Sequence, residues 1–448
     1  LIGTEKGLDI LNLQTGIFES NRSSNDPYSL SDNAVWSIYV DKSKDIWAGT
    51  YFGGVNHVNL HQGRFEFYYP SGEDNSLNGK AVSSFWEDEK GMWIGTEGGG
   101  LNLLDANNNS FYHYPFAKGQ EKLSYHNIHA LHKKGNHLYV GTFTGGLNVV
   151  DLKNGEVRKY LNKRGAHGAL SSNNIYKIYE DRAGDLWIGT TSGLNRLQNG
   201  SDMIQEVDSS IFHESVIYDI LEDQRGNLWV ATYGFGMFSK DSKTGQWKRF
   251  NQGIRFISLF RDSKDRIWAG TDGFGLYLIQ GDSIVPYDTT GELPYHTVYG
   301  MLEDGHGNLW MSTNQGIHCL SPDSGQKISF SDWGHIQGRQ FNYGAFYEDS
   351  SGRFYFGGTN GFNVFHPDTV LKYYEQSDYS LHLTKVELFN REININPDGG
   401  ILSKAINYTD EITLTHDQTV VSLSYAGLDF VAPKPIQYAY KMEGFEKE

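Results

Sequence analysis

Cysteine, proline and cationic side chains are the scarce components of this 448-residue chain. The single cysteine, Cys319, excludes an internal disulfide and leaves the redox compartment open. Lys and Arg number 38 against 54 Asp and Glu, so the formal net charge is −16. Because an acidic chain repels phosphate backbones, nucleic acid is a poor partner, and a neutral ligand fits the charge better.

Long apolar runs are also missing. No stretch approaches the roughly 18 consecutive apolar residues of a membrane span, and the first residues do not form a signal peptide. The sequence opens with LIGTEKGLDILNL, inside a phrase that recurs later, and stops at YAYKMEGFEKE on an apparently unfinished strand. We therefore expect a piece of a longer polypeptide, with any membrane helix or effector domain outside it.

Glycine and aromatic residues are abundant, with 52 glycines and 14% aromatics, which favours short strands joined by tight turns. A phrase of the form Leu-Trp-Ile-Gly-Thr recurs along the chain. Its threonines, spaced by 46, 46, 46, 48, 42, 39, 42 and 46 residues, are Thr4, Thr50, Thr96, Thr142, Thr190, Thr232, Thr271, Thr313 and Thr359. A period of 40–50 residues predicts propeller blades or helical pairs, and only strand-like alternation is present here.

One repeat unit shows four strands. We predict strands at AVSSFWED (81–88), MWIGT (92–96), LNLLD (101–105) and SFYHYP (110–115), separated by turns. Four antiparallel strands per period make a propeller blade. The recurring Trp is expected to wedge between blades, with Tyr139 and Tyr355 in its place in two repeats. The small residue two positions later, such as Gly95, is expected to let strands crowd towards the axis.

The number of blades depends on which strand closes the ring. The last unit, 340–369, has three convincing strands, so a fourth must come from the other end of the chain. RFEFYYP (64–70) in that role gives seven blades, whereas GIFES (16–20) gives eight, and we expect seven. The fold class is therefore all-β. A seven-bladed β-propeller spans 63–370, and remnant blades of a preceding propeller (or a first blade of the same ring) span 1–62. An incomplete β-sandwich spans 371–448, with strands predicted at 381–393, 411–430 and 436–445.

Two segments resemble known families. EDRAGDLWIGTTSGLNRL (180–197) resembles the two-component regulator propeller repeat, and 413–445, TLTHDQTVVSLSYAGLDFVAPKPIQYAYKMEGF, resembles the Y_Y_Y domain. In this order they resemble the extracytoplasmic sensor region of hybrid two-component systems from gut Bacteroidetes. There, two seven-bladed propellers and the sandwich precede a membrane helix, a histidine kinase, a receiver and a DNA-binding domain. This chain departs from that pattern because it holds only about nine repeats and no signalling domain.

The residues that vary after the repeat threonine are the candidates for ligand binding. Turns after the second and fourth strands of each blade share one face of the disc. This "mouth" is predicted to carry Tyr51, Phe52, Glu97, Phe143, Thr191, Ser192, Tyr233, Phe235, Asp272, Phe274, Asn314, Gln315 and Asn360. Aromatic faces beside amides and carboxylates suit sugar rings. The connectors from the fourth strand to the next blade share this face, including 335–344 and 121–127. The residues selected as the candidate binding site are Phe143, Tyr233, Phe235, Asp272, Phe274, Asn314, Arg339 and Asn342. The plainer interpretation is turn chemistry with aromatics packed on neighbours.

Other motifs favour structure over chemistry. The turns EDEKGM, EDRAGD, EDQRGN, EDGHGN and EDSSGR are predicted to be hairpins in which Asp bonds its own backbone, rather than calcium loops. They resemble the Asp-box of sialidases, but beyond Arg339 with Glu97 no pattern supplies that chemistry. The histidines cluster at 126, 129, 132 and 137. In a strand, His126 and His132 are expected to share one face while His129 points to the other, so no metal site and no cofactor are assigned.

The sequence thus predicts a non-enzymatic, periplasmic ligand-sensing module with no catalytic residues. We expect it to bind an oligosaccharide, to form a homodimer, and to signal towards a membrane-bound histidine kinase. We expect no direct contact with nucleic acid, and membrane contact only through segments outside it. Two alternatives stay open: a propeller-fold polysaccharide lyase or glycosidase, and a protein-interaction scaffold.

Overall fold

The computed structural model describes residues 1–24, 29–41, 44–58, 65–73, 75–115, 122–163, 168–281, 283–287, 296–330, 336–376, 380–396, 400–428 and 438–441. It divides into two compact units. One comprises 63–370 together with 24–29, and the other comprises 1–23, 30–62 and 371–448. In the part of the chain that is described, no helix is long and apolar enough to cross a membrane.

The smaller unit, which comprises 1–23, 30–62 and 371–448, contains two three-stranded antiparallel sheets from the start of the chain. Their strands are β1 (Ile2–Thr4), β2 (Gly7–Leu11) and β3 (Phe18–Asn21), then β4 (Val35–Val40), β5 (Ile46–Thr50) and β6 (Gly54–Val58). Their shared core includes Leu8, Val35 and Ile46. That these strands belong to a preceding propeller stays a prediction.

The larger unit is a ring of seven four-stranded antiparallel sheets within its described residues. Its strand β7 (Glu66–Tyr68) precedes the ring in sequence. Blade 1 consists of β8 (Ala81–Asp88), β9 (Gly91–Glu97), β10 (Gly100–Asp105) and β11 (Phe111–His113). Blade 2 consists of β12 (Ile128–Lys134), β13 (His137–Thr142), β14 (Leu147–Asp151) and β15 (Val157–Tyr160). Blade 3 consists of β16 (Ile175–Glu180), β17 (Leu186–Thr190), β18 (Gly193–Leu197) and β19 (Ile204–Val207).

A one-turn helix, α1 (Ser209–Phe212), leads into blade 4. Blade 4 consists of β20 (Ile217–Glu222), β21 (Leu228–Thr232), β22 (Gly236–Lys240) and β23 (Trp247–Phe250). Blade 5 consists of β24 (Phe256–Arg261), β25 (Ile267–Thr271), β26 (Leu276–Gln280) and β27 (Ser283–Pro286). Blade 6 consists of β28 (Val298–Glu303), β29 (Leu309–Thr313), β30 (Gly316–Leu320) and β31 (Lys327–Ser329). The first strands of neighbouring blades contact one another, so they line the axis.

Blade 7 closes the ring by combining both ends of the unit. It consists of β32 (Phe341–Glu348), β33 (Phe354–Gly358), β34 (Gly361–Phe365) and the early strand β7. In the β34–β7 register, Phe362 pairs with Tyr68 and Val364 with Glu66. The predicted closing strand and the count of seven blades are therefore confirmed.

The recurring tryptophans pack between blades, as the sequence predicts. Trp93 of blade 1 is fully buried against Ile128 and Leu131 of blade 2. Trp268 of blade 5 packs in the same way against blade 6. Burying a large aromatic side chain at every junction stabilises the ring through removal of apolar area from water.

The small residue after each tryptophan has a more specific role than the predicted crowding towards the axis. A Cβ added at Gly95 would lie 2.7 Å from Cγ2 of Ile128, and one added at Gly189 would lie 2.7 Å from Cγ2 of Ile217. The small residue therefore makes room for the first branched residue of the next blade. Neighbouring first strands approach closely only because this side chain is absent.

The Asp-x-x-Gly turns are hairpins, as predicted, and in three of them the Asp also accepts a hydrogen bond from a tryptophan indole. Blade 5, where Asp265 stands in place of the glycine, has the same arrangement. In blade 5, Asp262 accepts hydrogen bonds from the backbone N–H of Lys264 (3.0 Å) and of Arg266 (2.8 Å). Its second oxygen accepts the indole N–H of Trp268 at 2.9 Å. The same carboxylate–indole bond occurs at Asp41, Asp181, Asp223 and Asp304, and Tyr355 donates its hydroxyl to Asp349 in place of the indole.

The region after the ring differs from the predicted strands in two places. Helix α2 (Pro367–Gln376) was missed, although a proline at the first position and Asp368 in the first turn are typical of helix starts. The strand expected from residue 411 begins only at Val421, because a turn in which Gln418 N–H bonds the Thr415 carbonyl interrupts it.

The remaining elements of this region form a three-stranded sheet. Its strands are β35 (Ser380–Leu388), β36 (Arg391–Glu392) and β37 (Val421–Leu428), with β35 central. A 3-10 turn at Ile406–Tyr408 lies between β36 and β37 in the sequence. Of the third predicted strand, 436–445, only 438–441 is described, and it is not a strand; the rest lies outside the described residues. The Y_Y_Y assignment stays a prediction.

Candidate functional site

The first strand of each of blades 1 to 6 carries a β-bulge near its start. In blade 3, Ile175 pairs with Thr190 and Lys177 with Gly189, which leaves Tyr176 unpaired. A bulge re-aims the side chain it carries. The residues left at this position are Ser83, His129, Tyr176, Tyr218, Ile257 and Tyr299. Because first strands line the axis, the bulge is the device that brings side chains to the centre of the mouth.

Blade 7 has a wider bulge than the other blades. Phe341 pairs with Gly358 and Phe346 with Phe356, so five steps along β32 match two along β33. The extra residues carry Tyr343 across the axis, where its ring lies 4.9 Å from that of Tyr218 in blade 4. Gly344, with φ +68, provides the left-handed backbone that this excursion needs.

These side chains form an axial cluster of His129, Tyr176, Tyr218, Tyr299 and Tyr343. The Tyr176 ring lies 5.0 Å from His129 and 4.7 Å from Tyr218, and Tyr299 lies 5.2 Å from Tyr343. One layer deeper, Lys177 Nζ lies 5.9 Å from the Phe346 ring of blade 7. Side chains therefore fill the axis at two levels. The axial cluster forms the aromatic floor at the centre of the mouth.

The predicted residues Phe143 and Asn342 border this floor. The Phe143 ring lies 5.4 Å from His129, stacked upon it. Asn342 donates its amide to Glu97 Oε1 at 2.8 Å, and the same oxygen lies 3.9 Å from His129 Nε2. Burial lowers the pKa of His129, which Glu97 opposes only in part. The imidazole is therefore neutral at neutral pH.

Two other predicted residues, Tyr233 and Asp272, meet Arg255, which the sequence interpretation did not select. The Tyr233 hydroxyl donates to Asp272 Oδ2 at 3.0 Å. Arg255 Nη1 donates to the Tyr233 hydroxyl at 3.0 Å and lies 3.2 Å from Asp272 Oδ2. Phe274, 49% exposed, lies on the other side, with its ring centre 5.9 Å from the guanidinium carbon. We call Tyr233, Arg255, Asp272 and Phe274 the arginine cluster.

The other predicted residues have different surroundings. Asn314 is a connector anchor, because its Oδ1 accepts the backbone N–H groups of His296 and Thr297, each at 3.2 Å. Phe235 is 38% exposed in the turn of blade 4. Arg339 is exposed, and its carbonyl accepts the Gly316 N–H. Tyr51 and Phe52, expected on the same face, lie in the other compact unit.

The tyrosine hydroxyls of the floor are protonated groups that both donate and accept hydrogen bonds. Burial is the main cause that raises the pKa of Tyr218 and of Tyr343 well above the ordinary value, and neighbouring acidic or phenolic groups add to it. Such hydroxyls are poor nucleophiles at neutral pH but good partners for sugar hydroxyls.

The histidines do not assemble a metal site in the part of the chain that is described, where no three His, Cys, Asp or Glu side chains come together. His126 precedes β12 and stacks on Tyr125 instead of sharing a strand face with His132, as had been expected. His132 is buried at the other end of the strand and bonds Glu180 at 2.9 Å. The strand-alternation argument fails for His126 because it lies before the strand.

Most of the floor was missed by sequence reasoning, which searched the turns. The available signal was the dipeptide at the start of first strands, Ile-Tyr in IYKIYE and IYDILE and Val-Tyr in VYGMLE. A pair of an apolar and an aromatic residue is common in ordinary strands, so these pairs did not indicate a binding site. The bulge that turns the second residue towards the axis has no sequence signature of its own.

Comparison with known proteins agrees with this geometry. The model of the "two component regulator propeller" family matches residues 29–52, 169–192, 211–234 and 292–315. The chain carries two-component regulator propeller repeats. Each matched segment covers the first two strands of one sheet. The repeat in the sequence therefore coincides with the repeat in the structure. The resemblance of the repeat to the two-component regulator propeller is confirmed.

Two similar proteins extend the comparison. The chain is 27% identical to the extracellular domain of the hybrid two-component system BT3049 from B. thetaiotaomicron, with a TM-score of 0.76 over 95% of this chain and 57% of that one. It is 26% identical over 281 residues to histidine kinase P4 of Formosa agariphila, covering 62% of this chain and 18% of that protein. The chain thus spans just over half of the first and about a fifth of the second. Its fold and repeats are those of a sensor-type extracellular domain.

The fold alone is shared more widely. The extracellular domain of BT4673 from B. thetaiotaomicron is 21% identical with a TM-score of 0.57. A streptogramin B lyase is 14% identical with a TM-score of 0.50 over 67% of this chain. Regulator propellers therefore share their architecture with at least one enzyme, and function must be argued from the site.

Proposed function

We propose that this chain is the periplasmic ligand-sensing module of a hybrid two-component regulator and that the mouth of its propeller binds an oligosaccharide. The observation that carries the proposal is the axial cluster: five ring side chains from blades 2, 3, 4, 6 and 7 meet on one face. Four of them end in hydroxyls. Aromatic faces and hydroxyl rims complement the apolar faces and hydroxyl edges of sugar rings.

The surroundings of this floor support the same ligand class. The exposed rings of Phe235 and Phe274 stand on neighbouring blades 4 and 5, where Asp272 bonds the Tyr233 hydroxyl. On blades 7 and 1, Asn342 and Glu97 add an amide and a carboxylate that bond each other. The site stands on rigid strands and turns, which suits a binding function because little ordering of side chains is needed on binding.

Signal transmission requires that the ligand bind one arrangement of a homodimer more tightly than another, because equal affinity would shift nothing. A changed arrangement would then reach a histidine kinase beyond this region. The solved domain of BT3049 comes from a hybrid two-component system, and histidine kinase P4 is a kinase by name. Both likenesses favour this role over that of an isolated binding protein.

A lyase or glycosidase is the weaker alternative. The described mouth holds buried, protonated tyrosines and a neutral His129 rather than a pair of carboxylates placed for acid–base chemistry. Glu97 and Asp272 are each engaged by neighbouring donors. A protein-interaction scaffold is the other alternative, and the hydroxyl-bearing rings at the centre of the mouth favour a sugar ligand over it.

Calorimetry of the purified chain against a panel of plant, algal and host oligosaccharides tests the proposal. One structural class is expected to bind. Phe274→Ala is expected to weaken that binding roughly tenfold, the loss of one aromatic contact. Tyr112→Ala is the matched control, because Tyr112 is 44% exposed on the outer strand of blade 1. Failure of every oligosaccharide to bind, or release of new reducing ends, would overturn the proposal.

A further inference from the structure

The guanidinium of Arg255 is held in place by three of its neighbours. Its Nη1 bonds the Tyr233 hydroxyl and faces Asp272, while the Tyr233 and Phe274 rings lie 5.4 and 5.9 Å from its central carbon. Asp272 is itself fixed, since Thr297 donates its hydroxyl to the other oxygen at 3.3 Å. The hydrogen bond to Tyr233 and the charge of Asp272 raise the pKa of Arg255. The group is a permanently charged donor with a fixed orientation.

The opposite edge of the guanidinium is open. Nη2 and Nε make no hydrogen bond within the described residues, and the side chain is 39% exposed. Gly273 lies close to this edge, since a Cβ added there would lie 3.4 Å from Nη2. Gly273 has φ +93, a backbone conformation that itself favours glycine. A planar fork of N–H groups therefore faces the mouth with room for a ligand.

Basic side chains recur at one backbone position around the mouth. In six blades, a residue one or two places before the first strand accepts, through its carbonyl, the N–H of a glycine in the preceding blade. These residues are, from blade 6 round to blade 4, His296, Arg339, Lys80, His126, Asn173 and Ser215. Arg255 occupies the adjoining position in blade 5. Blades 5, 6, 7, 1 and 2 thus form a continuous arc of Arg, Lys and His, which we call the basic arc.

Within the described residues, few acidic groups on this face oppose the arc. Glu97 and Asp272 are bonded to Asn342 and to the arginine cluster. The other described carboxylates of the connectors between blades are Glu73, Asp208 and Glu214. Two of these three belong to the connector of blade 4, outside the arc. The chain as a whole carries a formal charge of −16, so a basic arc on one face runs against its overall composition.

From these observations we infer that the sensed oligosaccharide is acidic and that Arg255 binds its negatively charged substituent, a uronate carboxylate or a sulfate ester. The planar guanidinium fork matches two oxygens of either group, and charge-assisted bonds of this kind are about twice as strong as neutral ones. Phe274 lies beside the fork and would receive the apolar face of the same sugar ring. This inference rests on the proposed oligosaccharide function and reverses the neutral ligand that the net charge favoured.

Matched glycan pairs test the inference. Each pair contains an acidic oligosaccharide and its neutral counterpart: uronate oligosaccharides with their carboxyl-reduced forms, and sulfated oligosaccharides with their desulfated forms. Calorimetry of the full chain is expected to find an acidic member that binds at least tenfold more tightly than its partner. Preference within the uronate or the sulfate pairs identifies which anion is recognised. Binding should weaken with added salt, since the contact is electrostatic.

Two substitutions locate the contact. Arg255→Gln is expected to weaken the acidic ligand roughly ten- to hundredfold, the range for a hydrogen bond to a charged group, and to abolish the preference over the neutral partner. Arg249→Gln is the matched control, because Arg249 is exposed on the outer strand of blade 4 and its loss changes the net charge equally.

The outcomes separate this inference from the proposed function. If a neutral member binds as tightly as its acidic partner, or if Arg255→Gln leaves the preference intact, the inference is overturned while the oligosaccharide function stands. If no member of any pair binds, both are overturned.

Discussion

Blade 6 carries a buried histidine where four other blades carry asparagine, and this makes a sharp prediction about pH. Asn102, Asn148, Asn195 and Asn363 are fully buried on the third strands of their blades, and each accepts a backbone N–H from the connector that precedes its blade. His318 occupies the equivalent place and is 4% exposed. Burial lowers the pKa of His318 to about 4, and a hydrogen bond with the Gln315 backbone opposes this only in part.

The sign and size of the effect follow from proton uptake. Unfolding returns the His318 imidazole to its ordinary pKa of about 6.5, so below that pH the unfolded state binds a proton that the folded state does not. The stability contribution of the neutral imidazole is therefore complete above about pH 6.5 and is lost as the pH falls towards 4. The shift of about 2.5 pH units corresponds to about 3.4 kcal/mol at most, and to about 2 kcal/mol between about pH 7 and about pH 5.

His318→Asn removes the titrating group while keeping the side chain that other blades use. We expect the free energy of unfolding of the wild-type chain to fall between about pH 7 and about pH 5 by about 2 kcal/mol more than that of His318→Asn. Urea unfolding followed by tryptophan fluorescence at the two pH values measures this difference.

Using the difference between the two proteins cancels the contributions of other titrating groups, including His129 and His132, whose pKa values are also lowered by burial. NMR titration of the His318 ring in the folded chain provides an independent measurement. The reasoning is refuted if both proteins lose equal stability, or if the His318 ring titrates near pH 6.5.

Two further predictions concern the framework of the ring. Asp262→Ala is expected to lower the free energy of unfolding by about 3–5 kcal/mol, because it leaves the Trp268 indole, two backbone N–H groups and Arg266 without their buried acceptor. Thermal unfolding should show a smaller loss for Asp262→Asn, and equal losses would contradict the argument. Glu87→Ala is expected to lower the free energy of unfolding by about 1–3 kcal/mol, because Glu87 of blade 1 accepts the backbone N–H and the hydroxyl of Ser350 in blade 7 and so joins the two ends of the ring. Exchange of amide hydrogens should increase first in blades 1 and 7, and a uniform increase would be evidence against this role.

The framework was predictable because each of its signals is local. A period near 45 residues, a Trp after each Asp-turn and glycine at tight turns together identify blades without any knowledge of long-range contacts. Even the closing strand followed from this logic, since a three-stranded last unit requires a partner from elsewhere. The pairing of β34 with β7 spans nearly 300 residues, yet one unmatched blade and one unmatched strand were enough to predict it.

The binding face was predictable only in part. The turns gave Tyr233, Asp272 and Phe274, because residues that vary inside a constant phrase are visible in the sequence. Arg255 was missed since it lies in the connector before a first strand, where its contact with Tyr233 depends on the register between two blades. The connector 335–344, which contains Tyr343, was placed on the mouth face, but the position of Tyr343 at the axis was not predicted, because it depends on the three extra residues of a bulge in β32.

The departures from the repeat therefore carry more functional information than the repeat itself. A ring of equivalent blades would place equivalent residues around its axis. Such a surface could not bind a ligand of low symmetry in one preferred orientation. Blade 7 breaks the equivalence with Tyr343 at the axis, and blade 5 breaks it with the arginine cluster. Both breaks lie on the mouth face, whereas the Asp–Trp turns on the opposite face follow the same pattern in most blades. Local features that disagree with an otherwise consistent fold are expected at functional sites, and here they share one face.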